Sequence, residues 1–258
     1  MNKTNLLKKR LKKGDLVLGT WCTIPSPTAV EVISAAGLDF VIIDMEHGPF
    51  STETAENCVR AAEARNCTPI IRVAKNDEAT ILSALDIGAH GVVIPHIENA
   101  EDAKHAISNA KYAPIGKRGF TPYTRTGGYS RDNIESHAAN ENEETMTVLI
   151  VEGVEGMKNI DKIIDEKHID VIYIGQYDLS QAVGKPGKVN DLRVLEFMKK
   201  NAKKIHSKGI AVGSLAHNLE EIRLLRDLGF QFITYFVDCA VLYYEFKDVV
   251  KEFKKLSD

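Results

Sequence analysis

Cysteine is scarce: four among 258 residues, and Cys22, Cys58, Cys67 and Cys239 form no C-x-x-C pair. That spacing excludes a thiolate zinc site and a disulfide scaffold, and it fits free thiols in a reducing compartment. Long apolar runs are also missing. Nothing reaches the roughly 18 residues needed to span a bilayer, and the N-terminus lacks the apolar core of a signal peptide, so the sequence predicts a cytoplasmic protein with no membrane contact. No linker rich in Pro, Gly or Ser divides the chain, which predicts one domain over 1–258. A dominant charge is absent too. The formal net charge is -3, and the basic residues are spread out instead of forming the stripe that nucleic acid requires. The densest positive run, Lys8, Lys9, Arg10, Lys12 and Lys13, reads as a solvated first helix, because no apolar face or aromatic interleaving accompanies it.

What is present is one phrase repeated: an amphipathic helix, a Gly that ends it, then a short run of Val, Ile and Phe. Gly37, Gly88, Gly209 and Gly229 occupy the helix-closing position, where a left-handed residue is favoured. The apolar runs are Val17–Trp21, Phe40–Asp44, Pro69–Val73, Val92–Pro95, Val148–Val151, Val171–Gly175, Ile210–Gly213 and Phe232–Phe236. They are almost wholly apolar instead of alternating, as expected for parallel strands buried on both faces. Eight such strands alternating with helices predict an α/β fold, a (β/α)8 TIM barrel.

Polar residues stand at the ends of five of these runs: Arg72 within Pro69–Val73, and His47, His96, Glu152 and Asp178 just past the others. In a barrel the C-terminal strand ends open on one face, so these distant positions converge. Asp44-Met45-Glu46-His47-Gly48-Pro49 sets two carboxylates beside an imidazole, either a proton shuttle or a hydrogen-bonded turn. Glu152 and Asp178, hard oxygen donors, suit Mg²⁺ or Mn²⁺, which keep open positions for water and a chelating substrate; the alternative is a pair of ordinary surface carboxylates. Arg72, inside Pro-Ile-Ile-Arg-Val, needs an anion, either Glu152 or a substrate oxyanion. The turn from Gly175 through Gln176, Tyr177 and Asp178 to Ser180 offers backbone N–H groups to a carboxylate. Lys75, three residues past Arg72, reads as a solvated loop residue, which disfavours a Schiff-base mechanism. Together these groups predict metal-assisted carbon–carbon bond chemistry on a 2-oxo acid.

The segment between Tyr112 and Thr145, with Arg118 and Arg125, breaks the rhythm. Its position between the fourth and fifth strands predicts a loop on the open face, acting as a lid, an anion clamp or an oligomer contact.

Leu18-Gly19-Thr20-Trp21, Asp44 through Pro49, Arg72, Leu85-Asp86-Ile87-Gly88, Val93-Ile94-Pro95, Gly116-Lys117-Arg118-Gly119, Glu152, Met157-Lys158-Asn159 and Gly175 through Gly184 together resemble the HpcH/HpaI aldolases, over nearly the whole chain. The resemblance implies a phosphoenolpyruvate/pyruvate-type barrel, usually hexameric. It implies a class II, divalent-metal-dependent aldolase (Mg²⁺, Mn²⁺ or Co²⁺) that interconverts a 4-hydroxy-2-oxo acid with pyruvate and an aldehyde. Carried over by motif, Glu152 and Asp178 become the metal ligands, His47 the base with Asp44 as its partner, and Arg72 the group that stabilises the enolate. Gly175, Gln176 and Tyr177 receive the pyruvate carboxylate, and Asp86 supports substrate binding or a subunit contact. Two positions depart from the family pattern: Ile150 replaces a Gln two residues before the metal-binding Glu, and Gln176 replaces a Pro. An acyl-CoA lyase of the citrate lyase β-subunit type and a non-catalytic 2-oxo acid binding protein are the rival readings. The apolar residues of 241–253, at helical spacing, fit either a helix exchanged between subunits or one packed on its own barrel.

Overall fold

The computed structural model describes residues 4–132, 134–189 and 191–256, with Asp178 described in its backbone only. Eight strands, β1 (Val17–Cys22), β2 (Phe40–Asp44), β3 (Thr68–Arg72), β4 (Gly91–Ile94), β5 (Met146–Val151), β6 (Val171–Ile174), β7 (Ala211–Ala216) and β8 (Phe232–Val237), pair in sequence order into a closed parallel barrel. All eight apolar runs are strands. Their limits shift most at β5, which begins two residues earlier, and at β7, which runs past Gly213 to Ala216. Ser214 is the reason β7 is hard to read. Its buried hydroxyl donates to the Ile174 carbonyl at 2.8 Å, so a polar residue sits inside a strand at no unpaired cost.

Each strand buries two faces. Phe40, Ile42, Ile70, Val93, Val148, Ile150, Val171, Tyr173 and Phe232 fill the lumen, while Val41, Ile43, Ile71, Val92, Leu149, Ile172 and Ile233 pack beneath the helices. The period of two therefore decides what enters the mouth of the barrel. Asp44 continues the lumen phase of Phe40 and Ile42, Arg72 that of Ile70, and Glu152 that of Val148 and Ile150.

The lumen is layered. Phe40 and Phe232 stack at 4.1 Å between ring centroids, and a Cβ at Gly19 would lie 2.4 Å from the Phe40 ring, so glycine is required there. Above this layer Trp21 Nε1 donates to Thr234 Oγ1 at 3.0 Å and Tyr173 Oη at 3.2 Å, while the Tyr173 and Thr234 hydroxyls lie 2.6 Å apart. Burial pushes the Tyr173 phenol up to about 12. This polar layer is the floor of the mouth.

The first helix (Leu6–Lys12) closes the other end. Leu7 and Leu11 join the lumen cluster. The expectation of a merely solvated helix is corrected at Lys8, which is buried and reaches Thr145 O at 3.1 Å and Asp170 Oδ1 at 3.2 Å. Lys111, also buried, donates to Thr145 O at 2.6 Å and Asn142 O at 2.9 Å. Burial, with Lys8 beside it, lowers its ammonium to about 8. Below that value the folded state must hold a desolvated charge. Between about 8 and the ordinary lysine value the unfolded chain binds more protons than the folded one, so this group makes stability rise with pH. Lys111→Met is expected to lose that rise. Urea denaturation at about pH 7, 8 and 9.5 checks it: the stability of wild type relative to the variant should increase across the series.

The segment after Tyr112 is also corrected. The helix Ala100–Ala110 carries the chain from the β4 end back to the strand N-termini before this segment begins. Thr126 N donates to Asp86 O at the far end of the helix Glu78–Asp86, and Arg125 pairs with Glu63 at the end of the helix Thr52–Glu63. The segment is therefore part of the barrel base, remote from the mouth. Its second half is a helix, Ile134–Glu144.

Candidate active site

Trp21, Asp44, His47, Arg72, Ile150, Glu152, Tyr173, Gly175, Gln176, Tyr177, Leu215 and Val237 help line a cavity of about 410 Å³ at the C-terminal strand ends. Of the residues singled out from the sequence, His47, Arg72, Asp44, Glu152, Gly175, Gln176 and Tyr177 meet there. The Asp178 side chain lies outside the described part of the structure. Its backbone is in the first turn of the helix Gln176–Ala182, directly after β6, whose Ile174 is in register with Val151 of β5. Glu152 and position 178 thus follow neighbouring strands.

Arg72 is held on several sides. Its Nε donates to Asp44 Oδ1 at 2.8 Å, its Nη2 bonds Asp44 Oδ2, and its Nη1 lies 3.0 Å from Glu46 Oε2. The guanidinium also covers the Trp21 ring at 4.5 Å. A two-pronged fork on a carboxylate fixes the plane of the arginine. One N–H on Nη1 and one on Nη2 remain for a substrate oxygen. The anions that hold it are Asp44 and Glu46, where the sequence pointed to Glu152 or a substrate oxyanion.

Asp44, buried at 1 % exposure, has a second task. Its Oδ1 accepts from the backbone N–H of Glu46 at 3.0 Å and of His47 at 3.1 Å. The two sequence readings of Asp44 through Pro49, turn and proton shuttle, thus meet in one residue: Asp44 builds the turn that presents His47. The contact between them runs through the His47 amide. The His47 ring projects into the mouth, with Glu46 Oε2 beside its Nε2 at 3.8 Å.

Glu46, which the sequence motif contains without assigning it a role, joins the cluster together. One oxygen faces Arg72, and the other lies 3.0 Å from His96 Nε2. His96 in turn meets Glu152: Nδ1 lies 2.9 Å from Glu152 Oε1, and the His96 backbone N–H donates to the same oxygen at 3.0 Å. His96 adopts φ 57°, a left-handed value uncommon outside glycine. These contacts from both sides hold it there. Two signals point this way, the position of His96 after β4 and the doublet of carboxylates in the β2 motif. Sequence spacing does not reveal that they meet.

Asp86, expected to support substrate binding or a subunit contact, lies at the barrel base, away from the mouth of its own barrel. Its Oδ1 accepts from Arg118 Nη2 at 2.8 Å. Helices run from the mouth to the base, so a residue closing one of them is carried to the far end. Lys75 is exposed, as expected.

On the side of β6 and β7, Tyr177 Oη lies 3.1 Å from His217 Nε2, and His217 Nδ1 lies 2.9 Å from Glu221 Oε2. Partial burial, then the Glu221 charge, holds the Tyr177 phenol above its ordinary value.

The chain belongs to the HpcH/HpaI aldolase/citrate lyase family, whose model matches residues 18–243. The fold and the family define a carbon–carbon lyase. A 2-keto-3-deoxy-L-rhamnonate aldolase of Shigella dysenteriae serotype 1 is 31% identical over 214 residues, covering 83% of this chain and 79% of that one. A pyruvate aldolase of Rhizobium etli is 29% identical over 238 residues, covering 92% and 93%. Among solved structures, the citrate synthase SbnG superposes with a TM-score of 0.87 at 32% identity over 98% of both chains.

Proposed function

We propose that the enzyme is a class II aldolase that cleaves a 4-hydroxy-2-oxo acid to pyruvate and an aldehyde, reversibly. The observation that carries this reading is the gathering of Asp44 and Glu46 on the Arg72 guanidinium, with Glu152 joined to Glu46 through His96, beside an exposed imidazole. Three carboxylates in one cluster that holds a single arginine leave negative charge in excess. A divalent cation offsets such an excess, and hard oxygen donors suit Mg²⁺ or Mn²⁺. Among the described residues no three His, Cys, Asp or Glu side chains are placed to hold a metal ion together. Glu152 together with position 178 fits an ion that keeps several waters. Bound there, the metal supplies positive charge at the 2-oxo oxygen.

The chain's own groups then divide the work. His47 Nε2 takes the proton from the C4 hydroxyl. The C3–C4 bond breaks, and its electron pair passes to the 2-oxo oxygen as an enolate, which the remaining N–H groups of Arg72 receive. Asp44 keeps the Arg72 plane and the His47 amide fixed. Protonation at C3 gives pyruvate, whose carboxylate is assigned to the backbone of Gly175, Gln176 and Tyr177. Ile150, 3 % exposed in the wall, offers no hydrogen bond to the substrate, and Gln176 offers one. These two positions shape which aldehyde enters.

The test is deuterium incorporation into the pyruvate methyl group in D₂O, followed by NMR with Mg²⁺ or Mn²⁺ and again with EDTA. Exchange that requires metal supports enolate formation. No exchange from folded protein under any divalent metal overturns the reading and favours the thioester lyase or condensing chemistry, which turnover of a CoA thioester would then reveal.

We further assign a homo-oligomer, hexameric as in the resemblance. The helix Asp238–Lys254 buries only Asp238 among its described residues, and Phe246, Phe253 and Tyr243 are more than half exposed. Apolar area of this extent calls for a partner surface. Phe246→Asp is expected to shift the assembly to smaller species in analytical ultracentrifugation, with the circular dichroism of the barrel retained. The four free thiols fit a reducing compartment such as the cytoplasm, and no helix among the described residues is long and apolar enough to cross a membrane.

A further inference from the structure

Four side chains at the mouth take no part in the chemistry above. Tyr177 stands at the rim, half exposed, on the first turn after β6. Its hydroxyl meets His217, the first residue beyond β7, and β7 lies four strands from β3 in the closed barrel, so this pair faces Arg72 across the opening. His217 is tightly held. Glu221 Oε2 takes both its backbone N–H, at 2.8 Å, and its Nδ1, at 2.9 Å. Phe236 packs edge-on against the ring at 5.1 Å. Phe236 itself has φ 52°. A bulky residue in that region is strained, and such strain clusters at ligand-contacting sites.

With His217 neutral, the hydrogen-bond directions along this chain are fixed by the Glu221 carboxylate. A carboxylate only accepts, so His217 Nδ1 carries the hydrogen given to Glu221. In the neutral imidazole Nε2 is then the acceptor, and Tyr177 must donate to it. That leaves the lone pairs of the Tyr177 oxygen for the pocket. The rim on this side therefore offers an acceptor fixed in place by two residues behind it. An acceptor pairs with a hydroxyl and repels a carboxylate. Among the described lining residues Arg72 is the one fixed cation, and it is already engaged by Asp44 and Glu46.

We infer that Tyr177, positioned by His217 and Glu221, is the specificity-determining contact for the second substrate and selects an aldehyde that bears a hydroxyl group over its deoxy or carboxylate-bearing counterpart. This rests on the aldolase reading and names the substrate class of that same site. A pocket built to hydrogen-bond a hydroxyl discriminates against the analogue lacking it far more strongly than an apolar pocket can, because its own polar group is left unpaired.

The experiment is competition. Wild-type enzyme with saturating pyruvate and Mg²⁺ is offered glycolaldehyde and acetaldehyde together, then glycolaldehyde and succinic semialdehyde, and the aldol products are counted by NMR. Within one enzyme the product ratio gives the ratio of kcat/KM, so any change in the pyruvate half-reaction cancels. Wild type is expected to favour glycolaldehyde by at least about tenfold, and Tyr177→Phe to bring the ratio with acetaldehyde close to that of the unselective reaction. His217→Gln keeps an acceptor for the phenol and should retain part of the preference, whereas His217→Leu should lose it. Tyr177→Phe with an undiminished ratio, or a wild type without preference, overturns the inference while pyruvate exchange leaves the aldolase reading standing. Absence of pyruvate exchange in wild type overturns both.

Discussion

Glu152→Ala is expected to lower metal-dependent deuterium exchange into pyruvate by more than about a thousandfold, since electrostatic stabilisation of the enolate contributes more than any other effect in this kind of reaction. Position decides this effect. Glu152 follows β5 in the lumen phase of Val148 and Ile150 and lines the mouth, and position 178 follows the neighbouring strand. A second readout separates loss of metal from loss of fold: calorimetric titration with Mn²⁺ should show the affinity lost while the thermal transition remains cooperative. Full exchange in Glu152→Ala with the same metal requirement would show that the metal is held elsewhere. His96 bonds Glu152 through both ring and backbone. Removing the carboxylate therefore leaves His96, at φ 57°, held from the Glu46 side alone.

Arg72→Ala is expected to act on stability and activity together. The guanidinium is the shared partner of Asp44 and Glu46, and Asp44 is 1 % exposed. Deleting one member of a buried ion pair leaves an uncompensated charge and costs about 3–5 kcal/mol. Urea denaturation should find a loss of that order. Loss of the enolate's donor should lower the exchange rate by about 10²–10³. Arg72→Lys tests the geometry: it restores the charge without the planar fork or the stacking on Trp21. It should recover much of the stability and little of the rate. Equal recovery of both would mean that charge alone, without the fixed plane, is what the site uses.

How much of this is legible in the chain differs from residue to residue. The eight strands are legible because a strand covered on both faces must be apolar throughout, and helix-closing glycines mark where several of them begin. Gly37, Gly88, Gly209 and Gly229 all have φ between 73° and 97°. The convergence of His47, Arg72 and Glu152 follows from strand-end position alone, because a closed parallel barrel gathers its C-terminal ends. The misplaced elements share one cause. Arg118 and Arg125 are assigned to the mouth by their place between strands, and Asp86 to substrate binding or a subunit contact by the family motif, but a helix intervenes and reverses the direction of the chain, so the same interval of sequence contains both a mouth and a base. Lys8 looks solvated in the sequence because a short first helix carries no sign of the lumen that Leu7 and Leu11 close.

Local periodicity and backbone chirality are enough to specify the barrel, its strand order and the chemical types at its mouth, since chirality makes the crossovers right-handed and lets the sheet close. The pairings are a property of the folded chain: Arg72 with Asp44 and Glu46, His96 between Glu46 and Glu152, Tyr177 with His217. Such contacts join side chains from different strands across a few ångströms. Barrel closure sets those distances, and no spacing along the chain records them.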